Sequence, residues 1–243
     1  MDEGLHQARA LLSAATRVAV LTGAGISAES GIPTFRDAMT GLWSQFRPED
    51  LATPEAFAAN PKVVWEWYAW RRELVAEAAP NAGHAALAAL ERRTPHFALI
   101  TQNVDGLHAR AGSRNVIELH GNIMEDRCCA EGRVLTPADE LPGTPPRCAR
   151  CGAPVRPGVV WFGETLPPRA LEEAFAEAQR CDVFLSIGTS TVVEPAASLP
   201  FAALEAGASV LEVNPTRTPL SAQATIVLAG AAGEVLPRLV GWS

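Results

Sequence analysis

The chain has 243 residues, 48% of them hydrophobic and 19% charged, a balance that excludes a disordered polymer and fits a folded protein. A formal net charge of −7 leaves no basic footprint for nucleic acid, so none is expected as a partner. No apolar run is long enough to cross a membrane. Residues 1–15, with Asp2, Glu3, His6 and Arg9, lack the basic start and apolar run of a secretory signal, so a cytoplasmic protein is expected.

Residues 4–15 read as a first helix, and the apolar run at 18–22 as a buried strand. Gly23-Ala24-Gly25-Ile26-Ser27-Ala28 follows, a loose G-x-G-x-x-A dinucleotide fingerprint. Gly23 and Gly25 would let backbone N–H groups approach a pyrophosphate, with a helix N-terminus just beyond. A dehydrogenase should then reach a second strand ending in an acidic residue about 20 residues on. Here the chain enters Phe35-Arg36-Asp37 and a tryptophan-rich stretch instead, which argues against hydride transfer. That stretch, from 33 to about 80, is helix-rich and holds Trp43, Trp65, Trp67 and Trp70.

A helix at 84–93 and strands at 97–101 and 116–119 come next. A segment from 121 to about 157 breaks the pattern, being rich in Cys, Pro, Gly and Arg. Beyond it lie a helix at 168–179, a strand at 183–187, a helix at 196–206 and strands at 209–213 and 225–228. The alternation predicts an α/β fold with a Rossmann-like, mostly parallel sheet. The expected division is a Rossmann-like part from about 1–33, 81–120 and 158–243. A smaller helical and zinc-ribbon module comes from insertions at about 34–80 and 121–157.

Two strand ends suggest further cofactor contacts, Gly188-Thr189-Ser190 and Asn214-Pro215. Four of the five cysteines, Cys128, Cys129, Cys148 and Cys151, cluster, which in a chain without a secretory signal favours metal over disulfides. Cys148-x-x-Cys151 is a zinc knuckle. Cys181 stands apart and reads as a small buried side chain. Tyr68 and Arg71, three apart in a predicted helix, share a face. Arg can clamp a carboxylate with two parallel hydrogen bonds and Tyr can add a third, which suits a succinyl or malonyl group. Tyr68 is the only tyrosine in the chain.

Seven segments occur in one order: Gly23-Ala24-Gly25-Ile26-Ser27, Gly31-Ile32-Pro33-Thr34-Phe35-Arg36-Asp37, Thr101-Gln102-Asn103-Val104-Asp105-Gly106-Leu107-His108, Glu118-Leu119-His120-Gly121, Val160-Trp161-Phe162-Gly163-Glu164, Ile187-Gly188-Thr189-Ser190 and Val213-Asn214-Pro215. Together they resemble the signature set of the sirtuin family, over nearly the whole chain. The resemblance implies an NAD-dependent protein-lysine deacylase. The acyl oxygen would attack the ribose carbon as nicotinamide leaves, forming an alkylimidate. A histidine would then take a proton from a ribose hydroxyl, giving free lysine and O-acyl-ADP-ribose.

The same resemblance implies His120 as catalytic base, a role suited to a pKa near neutrality, with Asn103 as its catalytic companion. Asn103 and Asp105 would serve the nicotinamide pocket with Gln102 and Val104. Phe35 would exclude water and Arg36 would help bind NAD. Gly23, Ala24, Gly25, Ile26, Gly188, Thr189, Ser190, Asn214, Pro215 and Ala231 complete the expected NAD site. The Tyr68–Arg71 spacing resembles the Tyr-x-x-Arg of class III sirtuins, which prefer acidic acyl chains; deacetylation is expected to persist.

Two departures from the family pattern stand out. The family expects a Cys-x-x-Cys beginning eight residues after the histidine. Cys128 fits, but its partner place is Glu131 and Cys129 is adjacent. The fourth ligand is thus Cys129, Glu131 or water, and any zinc would be structural. Gly158 stands where many relatives carry histidine; 159–162 still reads as a strand whose Val160 and Phe162 could pair with an extended substrate. A monomer is expected. The rival readings are a mono-ADP-ribosyltransferase, a non-catalytic NAD sensor and a nucleic-acid-binding ribbon.

Overall fold

A computed structural model describes residues 2–33 and 44–241. Phe35 and Arg36, both assigned to the NAD site above, lie outside the described residues. Helix α1 (Asp2–Ala14) leads into strand β1 (Arg17–Thr22) and the single turn α2 (Gly25–Ala28). Helices α3 (Pro54–Ala59), α4 (Pro61–Glu77) and α5 (Ala82–Arg93) precede β2 (His96–Thr101), the short α6 (Leu107–Arg110) and β3 (Val116–Glu118). Then come β4 (Gly121–Cys128), β5 (Val134–Leu135), β6 (Glu140–Leu141), β7 (Arg147–Cys148) and β8 (Val155–Val159). The remainder holds α7 (Pro168–Arg180), β9 (Val183–Ile187), α8 (Leu199–Glu205), β10 (Ser209–Asn214), β11 (Ile226–Ala229) and α9 (Ala232–Val240).

Six strands form a parallel sheet in the order β11-β10-β9-β1-β2-β3. Their near-continuous apolar runs follow from burial on both faces. Alternate residues feed two separate cores, because successive strand side chains point to opposite faces. Val18, Val20, Leu99, Leu185 and Leu211 meet α1, α5 and α9 through Leu5, Leu12, Leu87, Leu236 and Leu239. Ala19, Leu21, Ile100, Phe184 and Val210 meet α7 and α8 through Ala174, Ala178, Leu199 and Ala203. Each fully buried Leu or Phe here stabilises the fold by roughly 1.5–3 kcal/mol. From β1 the chain order runs outward both ways, to β2 and β3 on one side and to β9 on the other. The crevice outside the carboxyl ends of β1 and β9 is thus the topological switch point, where open α/β sheets bind ligands.

The second layer is smaller. Thr53 caps α3 and Asn60 caps α4, each accepting from a backbone N–H, with Pro54 and Pro61 pre-set for the first turn. A third core joins these helices to the β4–β8 region through Leu51, Phe57, Val64, Trp67, Tyr68, Ile123, Val159 and Trp161. β5, β4 and β8 form an antiparallel sheet, and β6 and β7 a two-stranded one.

Two expectations need correction. The helix expected over 196–206 opens as a 3-10 turn, Ala196–Ser198, and becomes α-helical at Leu199, with Pro200 in its first turn. Of the strand expected over 159–162, only Val159 lies in β8. Among the described residues, no helix is long and apolar enough to cross a membrane.

Candidate active site

A cleft of about 840 Å³ opens at the switch point between the large sheet and the smaller layer. Its walls include Gly23, Ala24, Gly25, Gln102, Asn103, Val104, Asp105, His120, Gly188, Thr189, Ser190 and Asn214 on the sheet side. Tyr68, Arg71, Val160 and Phe162 face it from the other. Ile26, Pro215 and Ala231 do not line it. Ile26 is fully buried in the core beneath the loop, and Ala231 sits at the N-cap of α9. Sequence reading passed over Ser27, Thr216, Arg217, Val192 and Val193, which do line it; only Ser27 fell inside a recognisable motif.

The glycines' own N–H groups are used inside the protein. The Gly23 N–H donates to Ile187 O at 3.0 Å, and the Gly25 N–H to Gly188 O at 2.8 Å. Neither donor is left for a pyrophosphate. What the glycines provide is closeness: a Cβ on Gly25 would lie 2.7 Å from Gly188 Cα and O, and one on Gly23 2.8 Å from Gly188 O. The loops after β1 and β9 thus pack backbone on backbone, leaving a shallow cradle at the sheet edge that suits a dinucleotide.

The loop after β2 is tied to that cradle. Asn103 Nδ2 donates to Gly23 O and to Ser27 Oγ, both at 3.1 Å. Ser27 Oγ donates to Asp105 Oδ2 at 2.7 Å, while Asp105 Oδ1 accepts from Leu107 N at 2.9 Å. Gln102 Nε2 donates to Thr189 Oγ1 at 2.9 Å, bridging to the β9 loop. The amide and carboxylate groups expected to reach a ligand are therefore partly spent on fixing one another. Asn103 Oδ1 keeps no partner among the described residues.

His120 lies just beyond β3, half-buried, with Nδ1 2.9 Å from Gln102 O. A carbonyl only accepts, so Nδ1 carries the proton and Nε2 the lone pair. Burial holds the His120 pKa below its ordinary value, opposed by the bond to Gln102 O. The imidazole is thus neutral at pH 7, the state a base requires. Gly121 must follow it: φ is +76°, and a Cβ there would sit 2.1 Å from Gly158 O. Gly158 is tightly packed too, since its Cβ would lie 2.7 Å from Glu125 Cβ across the irregular β4–β8 pairing. A histidine there would require Glu125 and its neighbours to shift.

Tyr68 is buried on α4 and its phenol pKa is pushed up to about 12 by that burial, so the hydroxyl stays protonated. Its oxygen accepts from Trp161 Nε1 at 3.0 Å. The Arg71 guanidinium lies 5.0 Å from the centroid of the Trp67 ring, and burial lowers its pKa. Beyond His120, Val160 N donates to His120 O, Trp161 N to Glu164 Oε2 and Phe162 N to Ala52 O. Three successive N–H groups are therefore taken. The expected pairing of this stretch with a substrate backbone can use only its carbonyls.

In the smaller layer, Cys128, Glu131, Cys148 and Cys151 bring four ligand atoms within 4.8 Å of one another. Cys128 ends β4, and a turn in which Gly132 N donates to Cys128 O brings Glu131 back over it. Cys129 lies outside the group, exposed at the surface. Three thiols and a carboxylate suit tetrahedral zinc. Arg150 and Arg133 approach Glu131 at 3.1 and 3.6 Å and offset its charge. Cys181 donates to Ala178 O, and burial pushes its thiol up to about 12, an unreactive state.

Comparison with known proteins agrees with this geometry. The NAD-dependent protein deacylase of Aquifex aeolicus is 59% identical over 208 residues, 84% of this chain and 85% of that protein. The NAD-dependent protein deacylase 1 of Pseudomonas aeruginosa is 53% identical over 240 residues, 95% of each chain. A crystal structure of a Sir2 homologue–NAD complex superimposes with a TM-score of 0.90 at 50% identity, covering 97% of this chain and 92% of that one. The Sir2 family model matches residues 23–195, more than half of the sequence. The chain belongs to the Sir2 family, the sirtuins.

Proposed function

We propose that this chain is an NAD-dependent protein-lysine deacylase of class III type, which favours succinyl and malonyl groups and still accepts acetyl. One observation carries the reading: a neutral histidine with a free Nε2 lone pair shares a single cleft with a buried Tyr68 and a half-buried Arg71 on α4.

When bound, NAD supplies an electrophilic ribose carbon, to which the acyl oxygen bonds as nicotinamide departs. The protein's part is to position and to move protons. Gln102 O holds the proton on His120 Nδ1, leaving Nε2 to take one from a ribose hydroxyl. Asn103 and Asp105, fixed through Ser27, form the floor of the nicotinamide pocket. Gly23, Ala24, Gly25, Gly188, Thr189, Ser190 and Asn214 make the NAD wall; on the family resemblance Phe35 excludes water and Arg36 helps bind NAD. Arg71 and the Tyr68 hydroxyl receive the terminal carboxylate of the acyl chain. Val160 and Phe162 flank the substrate lysine. Zinc held by Cys128, Glu131, Cys148 and Cys151 stabilises the small module and takes no part in the chemistry.

On this reading the Rossmann-like part comprises about 1–33, 81–120 and 158–243, and the inserted module about 34–80 and 121–157. The enzyme acts as a cytoplasmic monomer on acylated proteins. The test is kcat/KM for nicotinamide release with succinyl-, malonyl- and acetyl-lysine peptides. Arg71→Met removes charge-assisted hydrogen bonds, so turnover of the two acidic acyl groups falls about 10- to 100-fold, far more than that of acetyl. Equal losses on all three peptides refute the carboxylate clamp.

A further inference from the structure

The hydroxyl of Tyr68 is not left to orient itself. Its only hydrogen bond among the described residues is the one it accepts from Trp161 Nε1 at 3.0 Å. An indole N–H can only donate, so the phenol oxygen must accept, and its own proton is left for something else. Trp161 is itself held on several sides. The Arg156 guanidinium stands 3.5 Å from its ring centroid, and the Phe57 ring centroid is 5.2 Å away. Its backbone N–H donates to Glu164 Oε2 at 2.8 Å, and both Glu164 oxygens pair with Arg156. The indole is 3% exposed. A donor this well anchored behind a phenol fixes the hydroxyl's role as well as its place.

We propose that Trp161 is a specificity-determining positioning residue. Its N–H occupies the acceptor side of the Tyr68 hydroxyl, so that the phenol proton is presented to an acidic acyl chain in the cleft. The inference rests on the reading of Tyr68 and Arg71 as an acyl clamp. It adds that the clamp's polarity is set by a third residue, which acts through Tyr68 and not on the acyl carboxylate itself. An acetyl group ends short of the phenol and gains nothing from the arrangement. The preference for acidic acyl groups therefore depends on an indole nitrogen, and a phenylalanine, aromatic but smaller and without an N–H, would lose it.

The experiment is a double-mutant cycle on Trp161→Phe and Tyr68→Phe, read as the succinyl-to-acetyl ratio of kcat/KM. Losing one neutral hydrogen bond corresponds to a fall of about three- to tenfold in that ratio for W161F. The fall should appear in the succinyl KM and spare kcat, because the clamp acts on ground and transition states alike. In the Y68F background W161F should leave the ratio unmoved. Acetyl turnover, circular dichroism and the melting curve report whether W161F folds. If it does not, W161M takes its place, since Met fills irregular space without a donor. A fall of equal size in both backgrounds overturns the proposal, because Trp161 then acts by packing alone. An unchanged ratio in W161F, alongside a reduced one in Y68F, sinks the proposal and spares the clamp. An unchanged ratio in Y68F sinks both.

Discussion

Two buried histidines behind the active-site loop make the protein's stability depend on acid in a predictable way. His108 is 2% exposed and His84 is fully buried, with ring centroids 4.9 Å apart. Thr22 Oγ1 donates to Thr101 Oγ1, so it must accept from His108 Nε2, 2.9 Å away. Thr101 Oγ1 in turn accepts from Asn103 N, which places His108 at the back of the loop that carries Asn103. Burial, with the neighbouring His84, lowers the His108 pKa from 6.5 to about 3. The unfolded chain therefore takes up this proton first as pH falls. The stability lost to this group begins near pH 6.5 and grows as the pH falls toward the folded value. Two pH units below the unfolded value, at about pH 4.5, the loss is about 2–3 kcal/mol, a large share of a typical domain's margin. His108→Gln keeps an N–H donor for Thr22 and cannot titrate. Urea unfolding at about pH 7 and about pH 4.5 should show a loss smaller by about 2–3 kcal/mol in H108Q than in wild type. Taking the difference cancels any cost of the substitution that is independent of pH. Parallel losses in the two proteins would refute the claim that His108 is buried uncharged.

Three further outcomes follow from the same geometry. Gly25→Ala pushes a methyl to within 2.7 Å of Gly188 backbone, which cannot move as a side chain could; a cost of about 1–3 kcal/mol and weaker NAD binding are expected, and wild-type urea stability would contradict the loop-on-loop packing. Cys129→Ser should keep stoichiometric zinc by mass spectrometry of metals while Glu131→Ala loses or weakens it; the reverse order would make Cys129 the fourth ligand. The acidic limb of the kcat/KM–pH profile should fall below 6.5, because His120 must be neutral to act and burial lowers its pKa; a limb above 6.5 would count against that environment.

The large sheet was legible because each parallel strand, buried on both faces, reads as an unbroken apolar run, and β1, β2 and β9 lie within a residue of expectation. That Tyr68 and Arg71 would share one face of a helix was legible because helical spacing is local. What escaped the sequence is what depends on distant chain meeting chain. Trp161 and Tyr68 are 93 residues apart, and no periodicity links them. That the Gly23 and Gly25 N–H groups donate to Ile187 and Gly188 O could not be read from the sequence, because those acceptors lie more than 160 residues away. Glu131 and Cys129 stayed equivalent as ligands until the turn after β4 brought one back and left the other outside. The N–H groups of Val160 and Phe162 show the same limit, because their acceptors lie on His120 and Ala52.

The most direct measurement is the mass-resolved product of one reaction. NAD and a succinyl-lysine peptide are incubated with wild type and with His120→Ala. Wild type should yield unmodified lysine and O-succinyl-ADP-ribose, and the variant should yield neither above background. Release of free lysine by H120A at a rate near wild type would contradict the assignment of His120 as the base.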